Sequence, residues 1–352
     1  MNLKDILSEY SPLTLTEAVR NLRTEPFVLT ERLGGNVVRS PNETCVFEVE
    51  EGTYNLAPVS YNGDPATNVN VARRRVSHVV TPPQLFMKDR ITASEINNIR
   101  ALGQNPINMS SGDKSTAFNE MVAVKQQGLL RMIDRRVEWM FAQAMRGKID
   151  FVSETGRVFS FDYNLPKPVD IASGADYWNR DGDPLHQLRA LGKEYRRINN
   201  ELAPDLIILG GNAGDAFLNN PKIEAWMKSP GMNFVQTNTP LARGQAQSLA
   251  RLQGAEIYEY TATYEESDGR SKPKAVPYIE QDYVYMTNST LWRLYYGAIN
   301  DFDAGNPPLV MGNLFSKMKI SEDGKAMDIF VESHPLPVLI SNLAVLRAKV
   351  VD

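Results

Sequence analysis

The stretch Thr116–Lys148, TAFNEMVAVKQQGLLRMIDRRVEWMFAQAMRGK, holds a helical pattern longer than any other part of the chain without meeting a proline. Phe118, Val122, Leu129, Ile133, Val137, Met140 and Ala144 recur at steps of three, four and seven, which sets them along one face of an α-helix. Lys125, Arg131, Asp134, Arg135 and Glu138 fall on the opposite face. At about 1.5 Å per residue the segment extends for roughly 50 Å, beyond the three or four turns of an ordinary globular helix. A rod of that length predicts a spine against which several elements pack. The repeated a/d leucines of a coiled coil are missing, and Gly147-Lys148 reads as a glycine C-cap. Gly128 sits in mid-helix, where glycine costs about 1 kcal/mol relative to alanine. Two reasons for it stay open: a neighbouring backbone crossing too closely for a methyl group, or a hinge at which the spine bends.

Outside the spine, 352 residues exceed one ordinary core, which predicts two or three sub-domains, consecutive or interleaved. Apolar residues at 42% and charged ones at 23% are those of a soluble globular chain, and no apolar run reaches the ~18 residues a membrane span requires. The start, MNLKDILSEYSPL, has Asp5 and no apolar secretion signal, so the chain is expected to stay in the cytosol where it is made. Its one cysteine, Cys45, excludes an intrachain disulfide framework and a thiolate zinc cluster. A net charge of −4 argues against a nucleic-acid-binding surface over the whole molecule.

The first 40 residues combine an amphipathic segment, Leu13–Leu22, with Pro26, Gly34-Gly35 and Pro41, which predicts a short helix and then an extended arm that can be cut away from the body. Alternation at Cys45–Glu50 and Asn68–Val80, with the turn Asn62-Gly63-Asp64-Pro65 between, predicts a two-stranded ribbon over 43–80. Such a ribbon is marginal alone and must lie on its own body or on another subunit. One arm carries Glu48, Glu50 and Glu51 and the other Arg73, Arg74 and Arg75, either as protection of exposed strand edges or as contacts between subunits. Thr92 or Ser94 is placed to cap a short helix. Further on come a strand at Arg157–Tyr163, a helix from Pro184 to about Leu202, and the buried strand of PDLIILGG. Two short helices divided by Pro221 follow, then the strands AEIYEYTATY and VPYIEQDYVYM around a polar tip, Glu265–Lys274. Extended segments with a hairpin at Asp323-Gly324 close the chain. The alternation in 204–299 suggests a compact α/β unit.

Motifs for chemistry are weak. His78, His186 and His334 share no metal-ligand spacing, so no metal site is legible, and no cofactor is expected. Ser111-Gly112-Asp113-Lys114 lacks the glycine spacing of a phosphate loop, and Ser111 with Lys114 lacks the companion motifs of a Ser-x-x-Lys hydrolase. Gly210, Gly211 and Gly214 follow a strand, but their spacing suits a tight strand-to-helix turn better than a dinucleotide site. An enzyme, a hydrolase for instance, is the rival of a different class, with no substrate suggested.

The order of parts resembles the lambda-type major capsid proteins of tailed bacteriophages over nearly the whole chain. The resemblance rests on NLAPVS at Asn55–Ser60, the PPQLFMKDRITASEI junction, the spine ending in Gly-Lys, PDLIILGG with NNP, RLYYGAI, and the closing ESHPLPVLISNLAVLRAKV. It implies an α+β capsid fold of the Hong Kong 97 type. Residues 1–42 would be the N-terminal arm and 43–80 the extended loop; 81–203 with 300–352 would form the peripheral domain around the spine, and 204–299 the axial domain. The implied function is structural: self-assembly, without enzymatic activity, into the hexamers and pentamers of an icosahedral head that encloses double-stranded DNA. The implied place is the virion, put together in the host cytoplasm. Portal protein, head protease and an outer decoration protein are the family's partners. No domain of about a hundred residues precedes the arm, which in this family implies a separate scaffolding protein. An encapsulin-type compartment shares the fold and is the nearest alternative.

Overall fold

In the computed structural model, the described residues are 12, 15–17, 27–51, 74–92, 94–95, 111–153, 156–227, 246–266, 273–305 and 308–352. The spine is one helix, Ser111–Arg146, of 36 residues. It starts before its apolar pattern does, because Ser111–Ser115 forms its first turn. Gly147 ends it at φ 106° with its N–H on the carbonyls of Gln143 and Ala144, a left-handed cap that glycine adopts without a Cβ penalty. The reversal at Gly147 makes Lys148 the first residue of a strand, Lys148–Val152, paired with Val158–Asp162, rather than the last of the helix.

The apolar stripe of the spine is buried throughout. A three-stranded antiparallel sheet of Phe315–Ile320, Ala326–Ser333 and Leu85–Thr92 packs along it. Leu85–Thr92 contains all of FMKDRIT, to which the sequence assigned no strand. The turn at Gly324 (φ 66°) joins the other two strands. Beyond Thr92 its hydroxyl accepts from the N–H of Glu95, whose carboxylate accepts the N–H of Thr92 at 2.7 Å, a reciprocal capping box. A second three-stranded sheet pairs Trp292–Tyr296 with Pro335–Leu339 on one side and, in parallel, with Val37–Arg39 on the other.

The largest sheet has five strands in the order Val345–Lys349, Tyr283–Thr287, Leu206–Gly210, Ala255–Tyr260, Ala246–Leu252. Only Leu206–Gly210 and Ala255–Tyr260 run parallel; the helices Gly211–Leu218 and Pro221–Met227 lie in the chain between them. This sheet divides the interior. Leu206 and Ile208 face the core built on the spine, while Ile207 and Leu209 face a second core closed by Leu188, Leu191 and Tyr195 of the helix Pro184–Ile198. Burial on both faces is why LIILG is apolar without alternation. The final strand reaches across from the 300–352 segment to this sheet's edge.

Three boundaries differ from expectation. Helix Pro184–Ile198 stops short of Leu202 because Asn200 and Glu201 turn left-handed. AEIYEYTATY breaks after Tyr260, and its second half, Thr263–Glu266, pairs instead with Lys274–Pro277 in a separate hairpin. VPYIEQDYVYM breaks between Pro277 and Tyr283 for the same reason.

Candidate functional site

The elements that the sequence singles out meet near one buried carboxylate. Glu138 lies on the charged side of the spine's helical pattern, yet it is fully buried. Its Oε1 accepts from the Leu29 N–H at 3.0 Å and the Tyr260 hydroxyl at 2.6 Å, and its Oε2 accepts from the Thr30 N–H at 2.8 Å and the Thr30 hydroxyl at 2.7 Å. Leu29 and Thr30 open a helix, Val28–Leu33, in the segment expected to be extended. Phe27, at its N-cap, offers no side-chain acceptor. The cap comes from the spine, about a hundred residues away, and the carboxylate also meets the positive end of the helix dipole. Burial raises the Glu138 carboxyl above its ordinary range, and the four donors pull it partly back. The backbone N–H groups can only donate, whereas the hydroxyls of Thr30 and Tyr260 can turn to accept a hydrogen bond from the protonated carboxyl. Arm, spine and five-stranded sheet are thus held by one side chain. Val28, Leu29 and Leu33 are buried with it, so the residues around 28–33 are part of the body, not a detachable arm. Farther back, Leu15 is buried and the Thr16 hydroxyl accepts the Ser316 N–H at 3.1 Å.

The ribbon pairs Cys45–Glu51 with Arg74–Val80 in antiparallel register. Its root rests on the same chain: Phe47 stacks on His78 at 5.6 Å and meets the edge of Phe161, and Cys45 is buried, its thiol pushed up to about 11 by desolvation. Gly297 marks the crossing point, since a Cβ there would stand 3.0 Å from the Glu43 carbonyl and 3.3 Å from Pro82. The outer face exposes the cross-strand pair Val46 and Val79, at 60% and 67%. The register sets Glu50 opposite Arg75 and Glu51 opposite Arg74 within one chain, and Glu48 opposite Ser77. Arg73 and the turn at 62–65 lie outside the described residues, as does NLAPVS.

Gly128 is exposed, and among the described residues nothing lies within 4 Å of where a Cβ would stand, so no described backbone of the same chain crosses closely there. Neighbouring Gln126 is buried with its amide on the Ser316 hydroxyl. Val124 and Met132, one turn to either side of Gly128, are exposed. Ser111 and Lys114 both fall in the first turn of the spine helix. Gly210 precedes the helix after its strand, and the carbonyls of Glu280 and Gln281 lie 2.3 and 2.4 Å from where its Cβ would stand; the N–H groups of Gly211 and Ala213 in the helix's first turn are already bonded to Gln281. Among the described residues, no group of three or more potential ligands could hold a metal ion, and no helix is long and apolar enough to cross a membrane.

A spine helix, a projecting ribbon rooted on an aromatic cluster, and a mixed sheet sharing its core with the spine form one arrangement, and the sequence matches the family model of phage major capsid protein E over residues 11–350. The chain belongs to that family. As a phage major capsid protein it is a structural component of the virion shell, and its mixed helix-and-sheet fold is the one found in phage capsid proteins. The resemblance read from the sequence is borne out. Among solved structures, a protein described as a prophage capsid protein from E. coli CFT073 is similar with a TM-score of 0.65 at 13% identity, over 97% of this chain and 99% of that one. A phage-related protein from Bordetella bronchiseptica RB50 gives 0.53 at 11%, over 97% of both chains. The mature capsid of bacteriophage PhiM1 gives 0.50 at 10%, over 89% of this chain and 83% of that one. No curated protein matches the sequence. The sequence showed the family through the order of its motifs; the Glu138 cap left no trace there, since a glutamate on a helix's polar face is ordinary.

Proposed function

We propose that this major capsid protein assembles into hexamers and pentamers of an icosahedral head that encloses double-stranded DNA, with arm and ribbon lying on neighbouring subunits. The observation that carries the reading is the ribbon: its root is packed, while its outer face presents Val46 and Val79 to solvent. Burying such a face against a copy shares the cost of an otherwise marginal two-stranded element. In this reading 81–203 with 300–352 forms the peripheral domain, and 204–299 the axial domain with the tip Glu265–Lys274 near the capsomer centre. Assembly takes place in the host cytoplasm with a scaffolding protein, head protease and portal protein, and a decoration protein can bind outside. The ribbon charges Glu48, Glu50, Glu51, Arg73, Arg74 and Arg75 contribute contacts between subunits, and Gly128 is the spine's hinge during expansion from precursor to mature head. Electron microscopy of particles from cells producing the head proteins tests this. Icosahedral shells with a portal vertex and DNA inside are the expected result; monomers, or closed shells filled with protein, would overturn it.

A further inference from the structure

We propose that Phe302 is a preformed anchor that inserts into a second copy of this chain, an inference that rests on the shell reading above. Phe302 opens a short 3-10 turn, Phe302–Ala304, between the paired strands Ile299–Asn300 and Leu309–Val310. Its ring is 92% exposed, more than any other large apolar side chain among the described residues.

The turn that carries it is fixed from both sides. Asp301 caps the turn by accepting the Asp303 N–H at 2.8 Å, and its backbone N–H donates to the Pro308 carbonyl at 3.2 Å. The carboxylates on either side of the ring both bond the Lys317 ammonium, Asp303 at 2.9 Å. Lys317 is itself 9% exposed and belongs to the strand Phe315–Ile320 of the sheet on the spine. Lys319 adds a second bridge to Asp303 at 2.7 Å. With Asp301 and Asp303 turned inward to the lysines, the residue between them is forced outward.

An aromatic ring held in water on a fixed mount meets the requirement of an interface anchor, because the turn that carries it is already fixed before binding. A ring of this kind buries roughly 150–250 Å² on docking. The shell reading makes the partner a second copy, and charge at this tip does not oppose it. Each copy carries −4, so copies repel at a distance. At this tip two lysines balance two aspartates, and the surface offered to a neighbour is a neutral aromatic.

The experiment compares wild type, Phe302→Ala and Phe302→Trp, each produced as full chain with the other head proteins. Phe302→Ala is expected to keep the melting temperature of the wild-type subunit, since the ring touches little within it, while particle yield falls about tenfold or more. Phe302→Trp is expected to assemble, with its emission shifted to the blue in particles relative to free subunits. Normal yield from Phe302→Ala, a clear loss of its subunit stability, or unshifted emission from Phe302→Trp in particles would overturn the anchor. Absence of particles from wild type would sink the shell reading itself. Binding of free subunits to a different protein or to vesicles through Phe302, with particle yield unaffected by the substitution, would also overturn the proposal.

Discussion

At Glu138 one substitution tests both a hydrogen-bond network and a titration. Glutamine keeps the shape, but its amide nitrogen cannot accept, so one backbone N–H, of Leu29 or Thr30, loses its partner, while the hydroxyl beside it can turn to accept from the amide. At about 1–3 kcal/mol for an unsatisfied buried donor, Glu138→Gln is expected to lose about 1–3 kcal/mol in chemical denaturation at neutral pH. The sign of the pH effect follows from the raised carboxyl. The folded state holds its proton more tightly than the unfolded chain, so Glu138 is most favourable below the unfolded value near ~4.3 and less so as pH rises through the folded value. Denaturation midpoints should show that decline in wild type and lack it in Glu138→Gln. Asp328, held low by the Arg90 guanidinium, has the opposite dependence: its contribution is present above the ordinary aspartate range and is lost as pH falls through the lowered value. Gly128→Ala belongs to the same scale. With open space at the site, alanine is expected to gain up to ~1 kcal/mol of subunit stability, while slowing head expansion in a light-scattering assay. Equal expansion rates would remove the hinge.

Among elements, the ribbon separates two uses of charge. If the glutamates and arginines meet between subunits, a chain with Glu48, Glu50 and Glu51 reversed to arginine and a chain with Arg73, Arg74 and Arg75 reversed to glutamate should each fail to assemble, yet form particles when mixed. If they pair only across the ribbon, as the register allows for Glu50 with Arg75 and Glu51 with Arg74, mixing will not help and only the doubly reversed chain will recover. Single exposed pairs contribute about 0.2–1 kcal/mol, so particle yield is a better readout than subunit stability. This is also the scale at which the sequence was most legible. Hydrophobic periodicity located the spine, the strand at Leu206–Gly210 and the helix at Pro184, because each has a face or a run set by its own burial. It missed the helix Val28–Leu33, whose cap is supplied from the spine, and the strand Leu85–Thr92, whose alternating pattern is diluted by Lys88, Asp89 and Arg90. The breaks after Tyr260 and Pro277 were hidden for a similar reason: they arise from which partner each half finds, and a partner far along the chain leaves no local mark.

For the whole molecule, the arm can no longer be treated as removable. Deleting residues 1–30 takes away Val28, Leu29 and three of the four donors to Glu138, so the truncated chain is expected to lose its cooperative melting transition as well as its shells. A well-folded truncated subunit, by circular dichroism and calorimetry, would contradict the junction. Insertion into the tip Glu265–Lys274 makes the contrasting case: its base is a hairpin of its own, Thr263–Glu266 with Lys274–Pro277. A short flexible tag there should leave melting unchanged and hinder capsomer closure, and normal heads would show that the tip points to open solvent. The strand Val345–Lys349 sets a clock on all of this. Val345–Lys349 completes the edge of the five-stranded sheet beside Tyr283–Thr287, and the Val350 carbonyl then receives the Trp178 N–H. These contacts wait until Val345–Lys349 is made, roughly sixty residues and about 3–12 s after Tyr283–Thr287 at typical synthesis rates. Until then a nascent subunit carries an open sheet edge at Tyr283–Thr287, a template for pairing with another chain, so a stop codon placed just before Val345 is expected to yield aggregates, seen by sedimentation, in place of heads.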